Sequence, residues 1–288
     1  MEPFLHGLEP GFHSGWIAVN LVGDSASFPA LWRFAPGPSR AKAGSAMALR
    51  WLPFPSLLLL LLTTVLPSCS TTLSPGFSGG IVTRKECLAI AERYRVHPWK
   101  PTEQNIRHGR DGAGIQVDTP DCRFNPPGSI AGWWVPDQVN RGVPYQWGGF
   151  STPEQFDKGL ALGYAAGDVY TEAKRAALDH AVSRQAVGID CSGFVSRCWK
   201  LRRSYSTREL PSLCRPVTSW PDLKPGDILN THNAHVLLFA GWEDSGKARL
   251  IAYETGCPPD WKVIRHAIDV AWLRRLGYQA WRYRGMRD

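Results

Sequence analysis

The chain has 288 residues, 43% of them apolar, with 33 Lys and Arg against 25 Asp and Glu for a formal net charge of +8. That length and apolar content exclude a disordered protein and allow one good core, or a core with a small satellite. The positive charge suits an anionic partner such as nucleic acid, a phospholipid surface or an acidic wall polymer. However, the Lys and Arg are scattered, without the patch or stripe expected of a nucleic-acid binder, so no nucleic-acid partner is expected.

In chain order, the first signal is a targeting pattern, which has to be set aside before any fold argument. Met47 is a second plausible start, followed by a short basic segment with Arg50, an apolar run over 57–62, and Val65-Leu66-Pro67-Ser68-Cys69. This order resembles a bacterial lipoprotein signal peptide ending in a lipobox, with Pro67 an unusual residue inside it. On this reading residues 1–46 are an over-extended start, 47–69 the signal with a lipid on Cys69, and 70–80 a Ser, Thr, Pro and Gly-rich tether. Ordinary signal cleavage nearby and retention as an anchor stay open. The apolar run is shorter than the ~20 residues a spanning helix needs.

The folded part is expected from Ile81. Apolar positions over 83–94, with Thr83 as N-cap and Glu86 three residues on, predict a helix. Residues 97–140 are rich in Gly, Pro, Asp and Trp without a period, which predicts long loops that cover a site or pack on a neighbour. Helices are predicted over 171–184 and from Cys191 to about residue 201. Strands are predicted over 227–229, 235–242 and 249–254, the last two joined across the turn at 243–246. Two more strands, 261–266 and 278–283, flank a short helix at 268–276. Helix followed by an antiparallel run of strands predicts an α+β domain. Apart from Cys69 and Cys191, the cysteines are Cys87, Cys122, Cys198, Cys214 and Cys257. This odd set permits disulfides in an exported protein, and the sequence lacks the C-x-x-C pair of a zinc ribbon or redox site.

The densest chemical signal is Gly188-Ile189-Asp190-Cys191-Ser192-Gly193-Phe194-Val195. A cysteine entering the first turn of a helix meets unpaired backbone N–H groups and the positive dipole end, which favour the thiolate. The bland alternative is a buried structural thiol. His235 opens the apolar run HVLLFAGW after the turn Pro225-Gly226-Asp227, so its ring projects from a strand end. A Cys on a helix start facing a His on a strand is the pairing that acyl transfer needs. A lone strand-end surface histidine is the alternative. His232 raises a metal reading, but no acidic or third His ligand lies near it in the sequence.

Taken in order, Val143-Pro144-Tyr145-Gln146-Trp147-Gly148-Gly149, DCSGFV, LKPGDIL and HVLLFAGW resemble the NlpC-type cell-wall peptidase family of the papain-like clan. The resemblance covers residues 142–288, behind an N-terminal loop-rich region at 81–141. It implies a papain-like fold, with the nucleophile at a helix N-terminus packed on an antiparallel sheet, and no cofactor or metal. It also implies that Cys191 attacks a carbonyl of a peptidoglycan stem peptide, between D-glutamate and the diamino acid, and that His235 activates it. Tyr145 would line the site, and Asp190 and Ser192 would hold the substrate's free amine. Loop packing for Tyr145 and helix capping for Asp190 are the alternatives. The implied partners are peptidoglycan or muropeptides and, through the lipid on Cys69, the membrane of a bacterial envelope.

The chain departs from the family in two places. Residues 150–189 form an insertion where a short link is usual, expected to make a wall or lid of the cleft. The strand after the histidine strand, RLIAYE, lacks the family's usual histidine. Strand alternation puts Leu250, Ala252 and Glu254 on one face, and Glu254 is the residue expected to orient His235. A solvated strand-end glutamate is the alternative. The Cys191 N–H is the expected oxyanion donor. Trp133 and Trp134 serve either as stacking surfaces or as core. Two other functions remain open: an amidase or acyltransferase on another substrate, and a non-catalytic wall-binding module.

Overall fold

The computed structural model describes residues 80–126, 132–256 and 260–288. The signal peptide, Cys69 and Cys257 lie outside them. No described helix is long and apolar enough to cross a membrane.

Helix α1 (Arg84–Val96) starts where the capping box dictates. The Thr83 hydroxyl accepts from the Glu86 N–H at 3.2 Å, and the Glu86 carboxylate accepts from the Thr83 N–H at 2.9 Å. Its buried residues Cys87, Ala91 and Tyr94 fall at helical spacing. Helix α2 (Pro153–Ala161), inside the insertion, is not among the predicted elements, although Thr152, Pro153 and Gln155 form a capping box with Pro in the first turn. Helix α3 (Glu172–Ala177) is shorter than the predicted 171–184. Leu178 takes φ +51°, which closes the helix, and the chain continues as a 3-10 turn, Leu178–Ala181. Helix α4 (Cys191–Cys198) carries the candidate nucleophile at its first position, and α5 (Val270–Arg275) is capped by Asp269.

Six strands form one antiparallel sheet: β1 (Cys214–Pro216), β2 (Ile228–Asn230), β3 (Val236–Trp242), β4 (Arg249–Glu254), β5 (Ile264–Asp269) and β6 (Gln279–Tyr283), in the spatial order β5-β4-β3-β2-β6-β1. The molecule is thus α+β, as expected. The fifth strand lies three residues later than the predicted 261–266. Trp261 has φ +43°, and the Val263 N–H leaves the sheet to donate to Val143 O. Strand β1 was not anticipated, because three residues ending in Pro carry little signal; Pro is tolerated there because β1 is an edge strand.

Both faces of the sheet are covered, so β3 reads as a continuous apolar run rather than an alternating one. Val236 and Leu238 enter a core with Phe194 and Val195 of α4, while Leu237 and Phe239 enter a second core with Leu250 and with Leu273 of α5. Each fully buried side chain of this size contributes roughly 1.5–3 kcal/mol. Helix α1 belongs to the first core as well, with Tyr94 packed edge-on to Phe194 at 5.7 Å.

The insertion closes on itself at its base, where Phe150 bridges Ile189 and the pieces Ala165–Ala166 and Ala186–Val187 pair in parallel. It is tied to the loop-rich region by Asn105, whose buried amide donates to Leu160 O and Tyr164 O at 3.0 and 2.8 Å. A buried ion pair, Lys174 with Asp168, pins it from inside.

Candidate active site

Helix α4 begins at Cys191 because Asp190 caps it. The Asp190 carboxylate accepts from the Gly193 N–H and, at 3.1 Å, from the Ser192 hydroxyl. The Asp190 N–H in turn donates to Gly149 O at 3.0 Å, joining the helix start to the Tyr145-to-Gly149 segment. That approach is close: a Cβ at position 193 would stand 2.2 Å from Gly149 O, so only glycine fits. Cys191 is half-buried. As the first helical residue, its N–H has no acceptor within the helix.

His235 sits one residue before β3, on a turn that fixes its backbone. Its N–H donates to the Thr231 hydroxyl at 3.0 Å, and its carbonyl accepts from the Thr231 N–H at 2.9 Å. Its side chain is buried, and Nε2 lies 2.7 Å from Glu254 Oε2. The ring is also hydrogen-bonded to Cys191. With Nε2 taken by Glu254, Nδ1 is the nitrogen left to face the sulfur. Glu254 ends β4 and is only 5% exposed.

A further residue belongs here that sequence reasoning did not include. His266 on β5 hydrogen-bonds through Nε2 to Oε1, the other oxygen of Glu254. The register explains the contact: His266 stands opposite Ala252, two residues from Glu254 on the same face of β4. The sequence signal was a histidine on the third strand of the hairpin series, but it required the pairing register, which the three-residue offset of β5 conceals.

The electrostatics follow from these contacts. Burial alone pushes the Glu254 carboxyl up, but hydrogen bonds from His235 and His266 and their charge outweigh it, and the group falls to about 2. Burial alone pulls the His235 imidazole down. The charge and hydrogen bond of Cys191, followed by those of Glu254, reverse that and raise it to about 10. His235 therefore holds its proton at neutral pH, between a carboxylate on one side and sulfur on the other. This arrangement can present a thiolate to an electrophilic carbon and return a proton to a leaving group.

Tyr145 lies beside this group. Its N–H donates to Trp261 O at 2.7 Å, its carbonyl accepts from the Asp168 N–H at 2.8 Å, and its buried ring packs with Trp261 and Val169. Gly256, at φ +90°, presses on the ring; a Cβ there would come within 2.6 Å of it. Burial raises the phenol well above its ordinary value, so the O–H is retained at neutral pH. Asp190 is raised by burial to about 6, with its hydrogen bonds from Gly193 and Ser192 opposing the rise. Ser192 is buried, with its hydroxyl turned to Asp190.

Cys191, His235, Glu254, Tyr145, Asp190 and Ser192 are thus brought together in one place, with Asp190 and Ser192 occupied in capping α4. Trp134 is fully buried, whereas Trp133 is half-buried, with its indole N–H on Trp261 O at 3.3 Å and the Lys262 ammonium 4.2 Å over its ring. The loop-rich region therefore reaches the site through Trp133. The described cysteines Cys87, Cys122, Cys198 and Cys214 are free thiols. Burial pushes Cys87 up to about 12 and Cys198 well above its ordinary value, which marks both as inert. Among the described residues, no group of three or more His, Cys, Asp and Glu is placed to hold a metal ion.

Fold and site together define an α+β protein with a cysteine at a helix start, hydrogen-bonded to a histidine that a buried carboxylate orients. No family model, curated protein or solved structure matches the chain.

Proposed function

We propose that the protein is a papain-like cysteine peptidase of the NlpC type, which hydrolyses an amide bond in peptidoglycan stem peptides, between D-glutamate and the diamino acid. The observation that carries the reading is the continuous chain Cys191, His235, Glu254, with His235 hydrogen-bonded on both sides. The choice of bond and polymer rests on the ordered motifs from Val143 to Trp242. The same resemblance, with the lipobox at Cys69, supports a lipid-tethered protein of the bacterial envelope.

In the proposed reaction the Cys191 sulfur attacks the amide carbon, and the oxygen that becomes negative is held by the Cys191 N–H. His235, carrying the proton, passes it to the departing amine as the C–N bond breaks, leaving a thioester on Cys191. Water then attacks the thioester while His235 takes its proton; the acid departs, the sulfur is freed and the imidazolium is restored. Glu254 stays ionised throughout and stabilises that imidazolium. Tyr145 walls the cleft. By the same resemblance, Asp190 would meet the substrate's free amine, a task it would share with capping α4.

The test is digestion of purified muropeptides followed by mass analysis of the products. The active chain should release fragments cut at one amide, and Cys191→Ala should release none. Unchanged hydrolysis by Cys191→Ala would remove the mechanism. No hydrolysis by the unmutated protein would favour a wall-binding module.

A further inference from the structure

Away from this site, a surface cavity of about 380 Å³ is lined by six cationic side chains: Arg84, Arg215, Lys224, Arg282, Arg284 and Arg287. It lies where the two ends of the described chain meet. Val82 and Thr83 pair in parallel with Met286 and Arg287, and the Tyr283 hydroxyl donates to Gly80 O at 2.6 Å.

Among the described side chains, two carboxylates pair with these six charges. Buried Asp227 is gripped by Arg282 through Nε at 2.9 Å and Nη2 at 2.6 Å, with Arg84 at 3.3 Å. Asp288 meets Arg84 at 2.5 Å and Lys224 at 3.4 Å. Arg215, Arg284 and Arg287 form no ion pair with any described carboxylate. Moreover, Arg215 stands directly opposite Arg282 in the β1–β6 register, and like charges so placed repel. A structural role for the cluster is met by Asp227 alone, with Arg282 and Arg84. The remaining arginines are an uncompensated excess around a concave surface, and guanidinium forks match the oxygens of a phosphate.

We propose that this cavity binds a phosphate group, with Arg215 and Arg284 as direct ligands. The group is carried either by a soluble phosphate or by the phosphodiester headgroup of an anionic lipid. The inference is independent of the peptidase reading. The favoured probe is the headgroup, because the first described residue, Gly80, lies beside the cavity, and the lipobox expectation would tether the chain ahead of that point to a membrane.

The test is calorimetric titration of the full chain with inorganic phosphate and, separately, with glycerophosphoglycerol, each against sodium chloride at matched ionic strength. Saturable binding of at least one probe is expected, weakened about tenfold or more in Arg215→Gln and in Arg284→Gln. Both side chains are exposed, and neither is ion-paired among the described residues, so the variants should keep the wild-type circular dichroism and melting temperature. Tighter binding of glycerophosphoglycerol assigns the headgroup, and tighter binding of inorganic phosphate assigns a soluble ligand. Absence of saturable binding for both probes, heats no different from sodium chloride, or wild-type affinity in both variants would overturn the proposal.

Discussion

Glu254 holds His266 on one carboxylate oxygen and His235 on the other, so the group that orients the candidate base is itself fixed from the far side. A buried carboxylate held on both oxygens cannot rotate away from the base, which is how a second partner sharpens the geometry of a first.

His266→Ala should therefore leave one Glu254 oxygen unpaired, costing about 1–3 kcal/mol of stability and lowering turnover several-fold through looser placement of His235. His266→Gln keeps a donor at that position and should recover much of both. Thermal denaturation and muropeptide turnover, measured side by side, check this. Equal losses in the two variants would mean that the ring of His266, rather than its hydrogen bond, is what matters.

His235→Ala should abolish turnover with the fold retained, and Glu254→Gln should lower it by a smaller factor, on the order of 10²-fold or more, because an amide cannot stabilise the imidazolium. The kcat of each variant, with circular dichroism as the control for folding, decides it. Wild-type rates for Glu254→Gln would assign the orientation of His235 to another residue.

The two shifted groups also set a pH window for stability. Glu254 falls from 4.5 to about 2, so its contribution is present above pH 4.5 and lost as the pH drops through 2. His235 rises from 6.5 to about 10, so its contribution is complete below pH 6.5 and lost as the pH climbs through 10. The melting temperature should be highest between about pH 4.5 and 6.5 and decline on both sides, and Glu254→Gln should flatten the acid limb. Scanning fluorimetry across pH 2–11 reads this directly. An acid limb equally steep in Glu254→Gln would place its cause in other carboxylates.

Alkylation should separate the thiols. Iodoacetamide on the native protein should label Cys191 and the exposed Cys122 while sparing buried Cys87, Cys198 and Cys214. His235→Ala should slow labelling of Cys191 by about tenfold or more and leave Cys122 unaffected. Peptide mapping by mass over a time course gives both rates. A Cys191 rate that does not respond to His235→Ala would show that the imidazole does not activate the sulfur.

Much of this site was legible in the one-dimensional order of residues, for local reasons. Asp190 and Gly193 bracket Cys191 because capping and close backbone approach are written within four residues. The placement of Glu254 follows from strand alternation, a period of two. The apolar run of β3 and the turn at 243–246 located the hairpin in the same way. What went unseen had weak or non-local signals. Strand β1 is three residues at an edge, α3 stops early because Leu178 turns to positive φ, and α2 lies in the part of the insertion before residue 171, for which no element is predicted.

The sequence by itself marked Cys191, His235 and Glu254 as candidates for chemistry and told which element each one starts or ends, because caps, turns and alternation act over a few residues. The tertiary structure alone decided that His266 reaches Glu254, since that contact depends on the β4–β5 register. It also decided that Arg84, Arg215, Lys224 and the arginines from 282 to 287, scattered along the chain, converge on one cavity. Coulombic interactions depend on distance in space and take no account of separation along the chain, so a charge excess spread thinly through the sequence converges only when the sheet edge and the two ends of the described chain come together.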